Sequence, residues 1–256
     1  MIKKLLRFTA VAVVGSLLSV CLFTGCAWGN YSYRNAKAYT AGNGSVSAAG
    51  ITEISIDWIA GDVTVRVEDT DTITFTEETA ETDSDHLLHY AEINGELLIK
   101  FRKSGVKTKD ISKNLTVILP QDRIFREFDV TSVSGAITLV NVAANGIDAE
   151  SVSGDVTLTG CSARNLNLDT TSGDVSVLNW KDGEIDLETV SGDVSVVFAT
   201  DDFRLRFETV SGKIKNLCGA AQSGNVITMG NGLLSAEAET VSGNLTVDVS
   251  KPQTEE

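Results

Sequence analysis

Proline and histidine are nearly missing from this chain: 256 residues hold two of each, and aromatic residues make up 6%. Proline interrupts strand ladders, so a chain with only Pro120 and Pro252 is free to run as long stretches of strand. Outside the N-terminus no long window keeps a helical period. There is no Gly-x-Ser-x-Gly elbow, no phosphate-binding glycine loop and no Cys-x-x-Cys pair, and no motif calls for a cofactor. Basic residues are outnumbered, 21 against 35 acidic. Nucleic acid is therefore excluded as a partner, because the basic patch it requires is missing.

What the chain has instead is a phrase, Val-Ser-Gly-Asp-Val or a close relative, that returns at a fixed interval. Its glycines are Gly135, Gly154, Gly173, Gly192 and Gly212, spaced 19, 19, 19 and 20 residues apart. Gly243 follows after 31, one period plus a 12-residue insertion. Around Gly192, the residues Ile185, Leu187, Thr189, Val194 and Val196 alternate with Asp186, Glu188, Asp193 and Ser195. Alternation with period two marks strands with one buried face. The same offsets give Ile147, Ala149, Ser151, Val156 and Leu158 around Gly154, and Ile54, Ile56, Trp58, Val63 and Val65 around Gly61. Each unit is strand, glycine corner, strand, loop, the glycine supplying a backbone conformation that a β-carbon disfavours.

The fold class is all-β. Two architectures fit: a parallel β-solenoid with repeats of about 19 residues, or an antiparallel meander closing into a sandwich. The near-identity of the corners favours the solenoid, since stacking like on like rewards repetition. In that reading the glycines form one column in chain order, with Ile147, Leu166, Ile185 and Leu205 as a buried column beside them. The 74 residues between Gly61 and Gly135 hold degenerate rungs or an inserted hairpin, with Asn94-Gly95 as a type I′ turn.

The N-terminus has the order of a bacterial lipoprotein signal. Lys3, Lys4 and Arg7 precede an uncharged run from Phe8 to Phe23, and then Phe23-Thr24-Gly25-Cys26. This resembles a lipobox, with Phe23 where leucine is usual, and Cys26 is the lipidation candidate. An uncleaved membrane helix and plain secretion are the alternatives; a helix, too, would leave the body outside the cytoplasm. The resulting division is a signal peptide over 1–25, a flexible tether over 26–50, a repeat domain over 51–250 and a loose tail over 251–256. Removing residues 1–25 leaves 18 basic and 35 acidic residues, a net charge of −17. Cys161 and Cys218 fall three rungs apart in chain order, roughly 14 Å, beyond disulfide reach, and read as small buried hydrophobes.

These features together resemble a bacterial family, the "putative adhesin" or toastrack domain, a domain of unknown function. The resemblance rests on Ile54-Ser55-Ile56-Asp57-Trp58-Ile59-Ala60-Gly61-Asp62-Val63-Thr64-Val65, on Leu115-Thr116-Val117-Ile118-Leu119-Pro120, and on the Thr-Val-Ser-Gly-Asp repeats. It covers about residues 50–250. It implies stacked strands on the outer side of the membrane and, through relatives that adjoin Lia and phage-shock modules, a link to envelope stress. It carries over no catalytic residue.

Two places invite chemistry. His86 and His89, with Glu81, Asp83 and Asp85 nearby, contain the elements of a metal site, although a polar loop leading into a hairpin explains them as well. The second place is a ladder of carboxylates. Glu150, Asp169, Glu188, Glu208 and Glu239 lie four residues before their glycines, and Asp155, Asp174 and Asp193 lie one after. Stacked about 4.8 Å apart, these repel one another, and calcium is the cation whose flexible oxygen coordination would relieve them. A solvated acidic face with corner aspartates bonded to local backbone is the simpler reading, and no metal is expected. The sequence thus points to a non-enzymatic, membrane-tethered module that binds an envelope component or a protein partner. A carbohydrate-active β-helix enzyme is the alternative, to be revived by a deep acidic cleft beside residues 213–235. A passive surface spacer is the third reading.

Overall fold

The computed structural model describes residues 31–107 and 110–250. Strands β1 (Thr40–Ala41) and β2 (Gly44–Ser47) precede the first repeat, β3 (Glu53–Asp57) and β4 (Val63–Glu68). Next come β5 (Thr72–Glu78), β6 (His89–Ile93), β7 (Glu96–Lys100) and β8 (Asn114–Pro120). The regular repeats are β9 (Phe125–Ser134) with β10 (Ile137–Val140), β11 (Ala144–Ser153) with β12 (Val156–Thr159), β13 (Asn165–Thr170) with β14 (Val175–Trp180), and β15 (Glu184–Ser191) with β16 (Val194–Phe198). The C-terminal part is β17 (Phe203–Ser211), β18 (Ile214–Asn216), the hairpin β19 (Ala221–Ser223) and β20 (Val226–Met229), and finally β21 (Leu234–Ser242) and β22 (Leu245–Val249).

The strand before each glycine joins a 12-stranded sheet and the strand after it joins a 10-stranded sheet. Within the stack neighbouring rungs pair in parallel, β13 with β15 at Leu166↔Ile185 and β14 with β16 at Val175↔Val194. The solenoid reading holds and the antiparallel meander does not. Inward residues of both sheets meet in one core: Leu168, Leu187, Val177 and Val196 are fully buried. Each buried aliphatic side chain contributes about 1.5–3 kcal/mol before chain entropy opposes it.

The corners explain the glycines differently from the sequence reading. Gly154, Gly173, Gly192, Gly212 and Gly243 are not in the left-handed region. A β-carbon on Gly154 would overlap the carbonyl oxygen of Gly135, one on Gly173 that of Gly154, and one on Gly192 that of Gly173. Close approach of one rung's backbone to the next, rather than turn conformation, is what excludes a side chain here. Of the repeated Ser-Gly-type corner glycines, Gly61 and Gly135 combine that approach with a positive φ, of 97° and 127°.

The stacking order departs from chain order at both ends. Gly243 packs on Gly192, and Gly212 packs on Gly243. The final pair β21/β22 is thus inserted between β15/β16 and β17/β18, because the hairpin β19–β20 already occupies the outer edge of β17. Ala236 accordingly separates Ile185 from Leu205 in the buried column expected to join them. Cys161 and Cys218 lie four rungs apart rather than three, and both are free. At the other end β7 and β8 form a rung beneath β3 and β4, with Lys113 at its corner in place of glycine. The Asn94-Gly95 turn closes the β6–β7 hairpin as expected, both residues having positive φ.

Residues 31–50 are not a tether. β2 pairs antiparallel with β5, β1 with β6, and Tyr31 is buried. The tyrosines that look like linker decoration are the reason: the rings of Tyr31 and Tyr33 lie 5.6 Å apart, and the Arg102 guanidinium sits 4.7 Å from the Tyr31 ring centre. Cys26, the rest of the signal-like segment and the tail 251–256 lie outside the described residues.

Candidate functional site

The outer surface of the 12-stranded sheet is built from the residues that alternate with the core. Two rows run across it, perpendicular to the strands. One carries Glu150, Asp169, Glu188, Glu239 and Glu208 on successive rungs. The other carries Asp129, Asp148, Asp186 and Glu237, with Asn167 between Asp148 and Asp186. The ends of the face are compensated. Lys100 pairs with Asp57 at one end, and Arg206 pairs with Glu208 and Glu237 at the other. Among the described residues, Asp148, Glu150, Asp169 and Glu188 have no ion-pair partner.

Crowding and partial burial alter how these groups hold protons. Burial, then the charges of Glu188 and Glu150, pushes Asp169 up to about 7. Burial, then Glu208 and Glu188, pushes Glu239 up to about 7. Asp129 rises to about 6, and Asp148, Glu150, Asp186 and Glu188 are raised for the same reasons. Oxygens of Asp148, Glu150 and Asp169 lie within 4.8 Å of one another, the one group of three or more metal-capable side chains among the described residues. Three carboxylates so placed offer hard oxygen donors of the kind calcium or magnesium accepts.

Asp155, Asp174 and Asp193 are exposed and lie elsewhere, on the glycine corner. They are bonded to backbone, but to the next rung rather than to their own turn. Asp155 Oδ1 accepts from the Asp174 amide at 2.9 Å, Asp174 Oδ1 from the Asp193 amide at 2.8 Å, and Asp193 Oδ1 from the Asn244 amide at 2.7 Å. Asn114 serves Asp62 in the same way, Asp62 serves Ala136, and Asn244 serves Lys213. Above the glycines, Thr170, Thr189, Thr240 and Thr209 donate their hydroxyls to the glycine carbonyl of the neighbouring rung. The corner is a structural seam, and its carboxylates are engaged there.

The histidines are not joined into a site with the acids near them. His86 is buried with Nε2 3.9 Å from Asp83. His89 has Nδ1 3.0 Å from the Leu87 carbonyl, burial holds its pKa low, and Asp85 binds Lys103 instead. Burial pushes the Cys161 thiol up to about 11, which suits a packing role. The cleft beside residues 213–235 has a volume of about 660 Å³, and Glu208 is its one lining carboxylate. The paired carboxylates that glycoside hydrolysis needs are not among its walls.

Parallel rungs, glycine corners and an acid-lined outer sheet define a β-solenoid of the repeat class. The chain belongs to the Toastrack DUF4097 family, whose model matches residues 51–256. Among solved structures it is similar to a "putative cell adhesion protein" from Clostridium sporogenes, with a TM-score of 0.53 and 11% identity over 82% of this chain and 100% of that one. A "putative adhesin" from Bacteroides fragilis matches with a TM-score of 0.42 and 13% identity over 82% of this chain and 97% of that one. At these identities the likeness concerns the fold. No curated protein matches the sequence.

Proposed function

We propose that this chain is a non-enzymatic, lipid-tethered module on the outer side of the bacterial membrane, and that its acidic sheet face binds a basic envelope component or protein partner. The carrying observation is the uncompensated centre of that face, where Asp148, Glu150, Asp169 and Glu188 crowd together with no ion-pair partner among the described residues. Carboxylates kept at such proximity raise the energy of the free state, and a polycationic partner relieves it. The adhesion label of the Clostridium relative supports a binding role, and the order Lys3-Lys4, apolar run, Gly25-Cys26 supports the tether. Attachment beside the envelope also fits a contribution to envelope sensing.

Titrating the full chain with a lysine-rich peptide tests the face. Binding should weaken with salt and be lost in Glu150→Gln/Asp169→Asn/Glu188→Gln. Binding that ignores these substitutions overturns the assignment, and no binding leaves the spacer reading. Cys26→Ala should abolish lipid labelling in cells; labelling that survives it overturns the tether.

A further inference from the structure

Each end of the solenoid exposes the outer edges of two strands. At the N-terminal end both edges are covered by antiparallel partners, β6 on β7 and β5 on β8. At the C-terminal end β20 covers β17 over Phe203–Arg206. Among the described residues nothing pairs with the outer edge of β18. Three of four caps are in place, and the vacant fourth position is the counterpart of β5.

The vacancy is shaped for a strand. Leu245 N–H donates to the Lys213 carbonyl and Leu217 N–H to the Val247 carbonyl. In a parallel ladder this alternation turns the amides and carbonyls of Ile214 and Asn216 outward. The 660 Å³ cleft lies alongside, its walls including Phe207, Ile214, Gln222 and Asn225 with one acid, Glu208, and one base, Lys213. Leu217, just past β18, and Val210, near the end of β17, are 51% and 64% exposed, and only two other large hydrophobics among the described residues are exposed.

Charge decides the occupant. Lys213, just before β18, and Lys215, on it, stand exposed in a strongly acidic protein. A second copy docking edge to edge would set these lysines against their own counterparts, which destabilises a strand pair. Lysines by themselves blunt an edge against aggregation, but a blunted edge has no use for a cleft beside it and exposed aliphatic side chains at Val210 and Leu217. β5 shows what a cap requires: Ile73, Phe75 and Glu77 point inward, alternating with Thr74, Thr76 and Glu78.

We propose that the free edge of β18 captures an extended acidic segment of a partner protein, which adds as an antiparallel strand with alternate side chains set into the cleft. This is strand addition, in which backbone bonds supply affinity and the flanking pockets supply choice. It is independent of the acidic face.

The probe is a fluorescent peptide with the sequence Asp71–Thr79, the segment that caps β8, beside a scrambled control, each added to the full chain. Saturable binding is expected, with slowed hydrogen exchange at the Ile214 and Asn216 amides. Lys213→Glu/Lys215→Glu should weaken binding about tenfold or more, and Ile214→Pro, which removes an outward amide, should abolish it. Should Ile214→Pro fail to fold, the lysine variant and the exchange pattern decide. Equal binding of the scrambled peptide, protection elsewhere or no binding overturns the proposal. So does a dimer whose Ile214 and Asn216 amides are already protected. A chain ending at Ser250 that binds the peptide more tightly would show the chain's own tail on this edge, and would overturn it too.

Discussion

The side chain of Asp174 accepts the backbone amide of Asp193, 2.8 Å away and 19 residues on. One rung thereby holds the next by a group that the sequence points toward the backbone of its own corner. Asp174→Ala should leave the Asp193 amide without its partner and cost about 1–2 kcal/mol. Asp174→Asn should retain most of the stability, because Asn114 and Asn244 already play this part. Denaturant unfolding of the two variants checks it; equal losses would show that charge, not the acceptor oxygen, matters at the corner.

Gly192→Ala should cost about 3 kcal/mol, since the added carbon meets the Gly173 carbonyl and rigid backbone lies on both sides. Gly50→Ala is the control: nothing lies within 4 Å of its new carbon, and the change should stay within about 0.5 kcal/mol. A tolerated alanine at 192 would mean that the rungs can separate without penalty.

Stability should fall as pH rises across the neutral range. Asp169 has an ordinary value of 3.8 and sits at about 7 in the folded chain; Glu239 moves from 4.5 to about 7. The folded state therefore keeps protons that the unfolded chain has released. This contribution is complete below about pH 4 and is lost as pH climbs through about 7. The melting temperature should decline between about pH 5 and pH 8, and Asp169→Asn should raise it at pH 8 and flatten the slope. A melting temperature that rises over this interval refutes the crowding of the face.

Lys113 and Glu77 form a buried pair beneath the first rung. Lys113 Nζ is 2.5 Å from Glu77 Oε2 and donates to the carbonyls of Phe101 and His86, with both charged side chains almost inaccessible. Lys113→Met should cost about 3–5 kcal/mol by stranding a buried carboxylate. Adding Glu77→Gln should recover most of it, because an amide oxygen can still accept from Leu88 N–H. Calorimetry on the single and double variants is the measurement, and a double variant no better than the single would place the loss in packing.

The corner glycines were legible because each must meet a neighbour's backbone, so the residue type repeats with the fold. Their order was not. A repeat shows that the rungs of Gly192, Gly212 and Gly243 are equivalent, and equivalence says nothing about which two touch. A second column was missed altogether. Asp122, Asn141, Gly160 and Asn179 recur every 19 residues and all have φ near +60° at the opposite corner. They belong to the few residue types that accept this conformation, and the interval marks them, but a template centred on Ser-Gly passes over them. On the acidic face, Glu150 and Asp169 were visible as a ladder. Asp148 was not, because the row six residues before each glycine is broken by Asn167 and Arg206.

The inserted last rung has a mechanical consequence. The final repeat in the chain, β21/β22, is gripped by a rung on each side, and so is the first, β3/β4. Traction on the C-terminal side cannot peel an outermost layer, because β21 and β22 lie inside the stack; on the N-terminal side it meets the short edge strands β1 and β2 first, and then β3/β4, which is held in the same way. Beyond those two edge strands, a pull must shear two parallel ladders of the same repeat together before the stack unravels. A load borne between the two ends of the chain is thus held by interlocked layers rather than by a zip that opens from its tip.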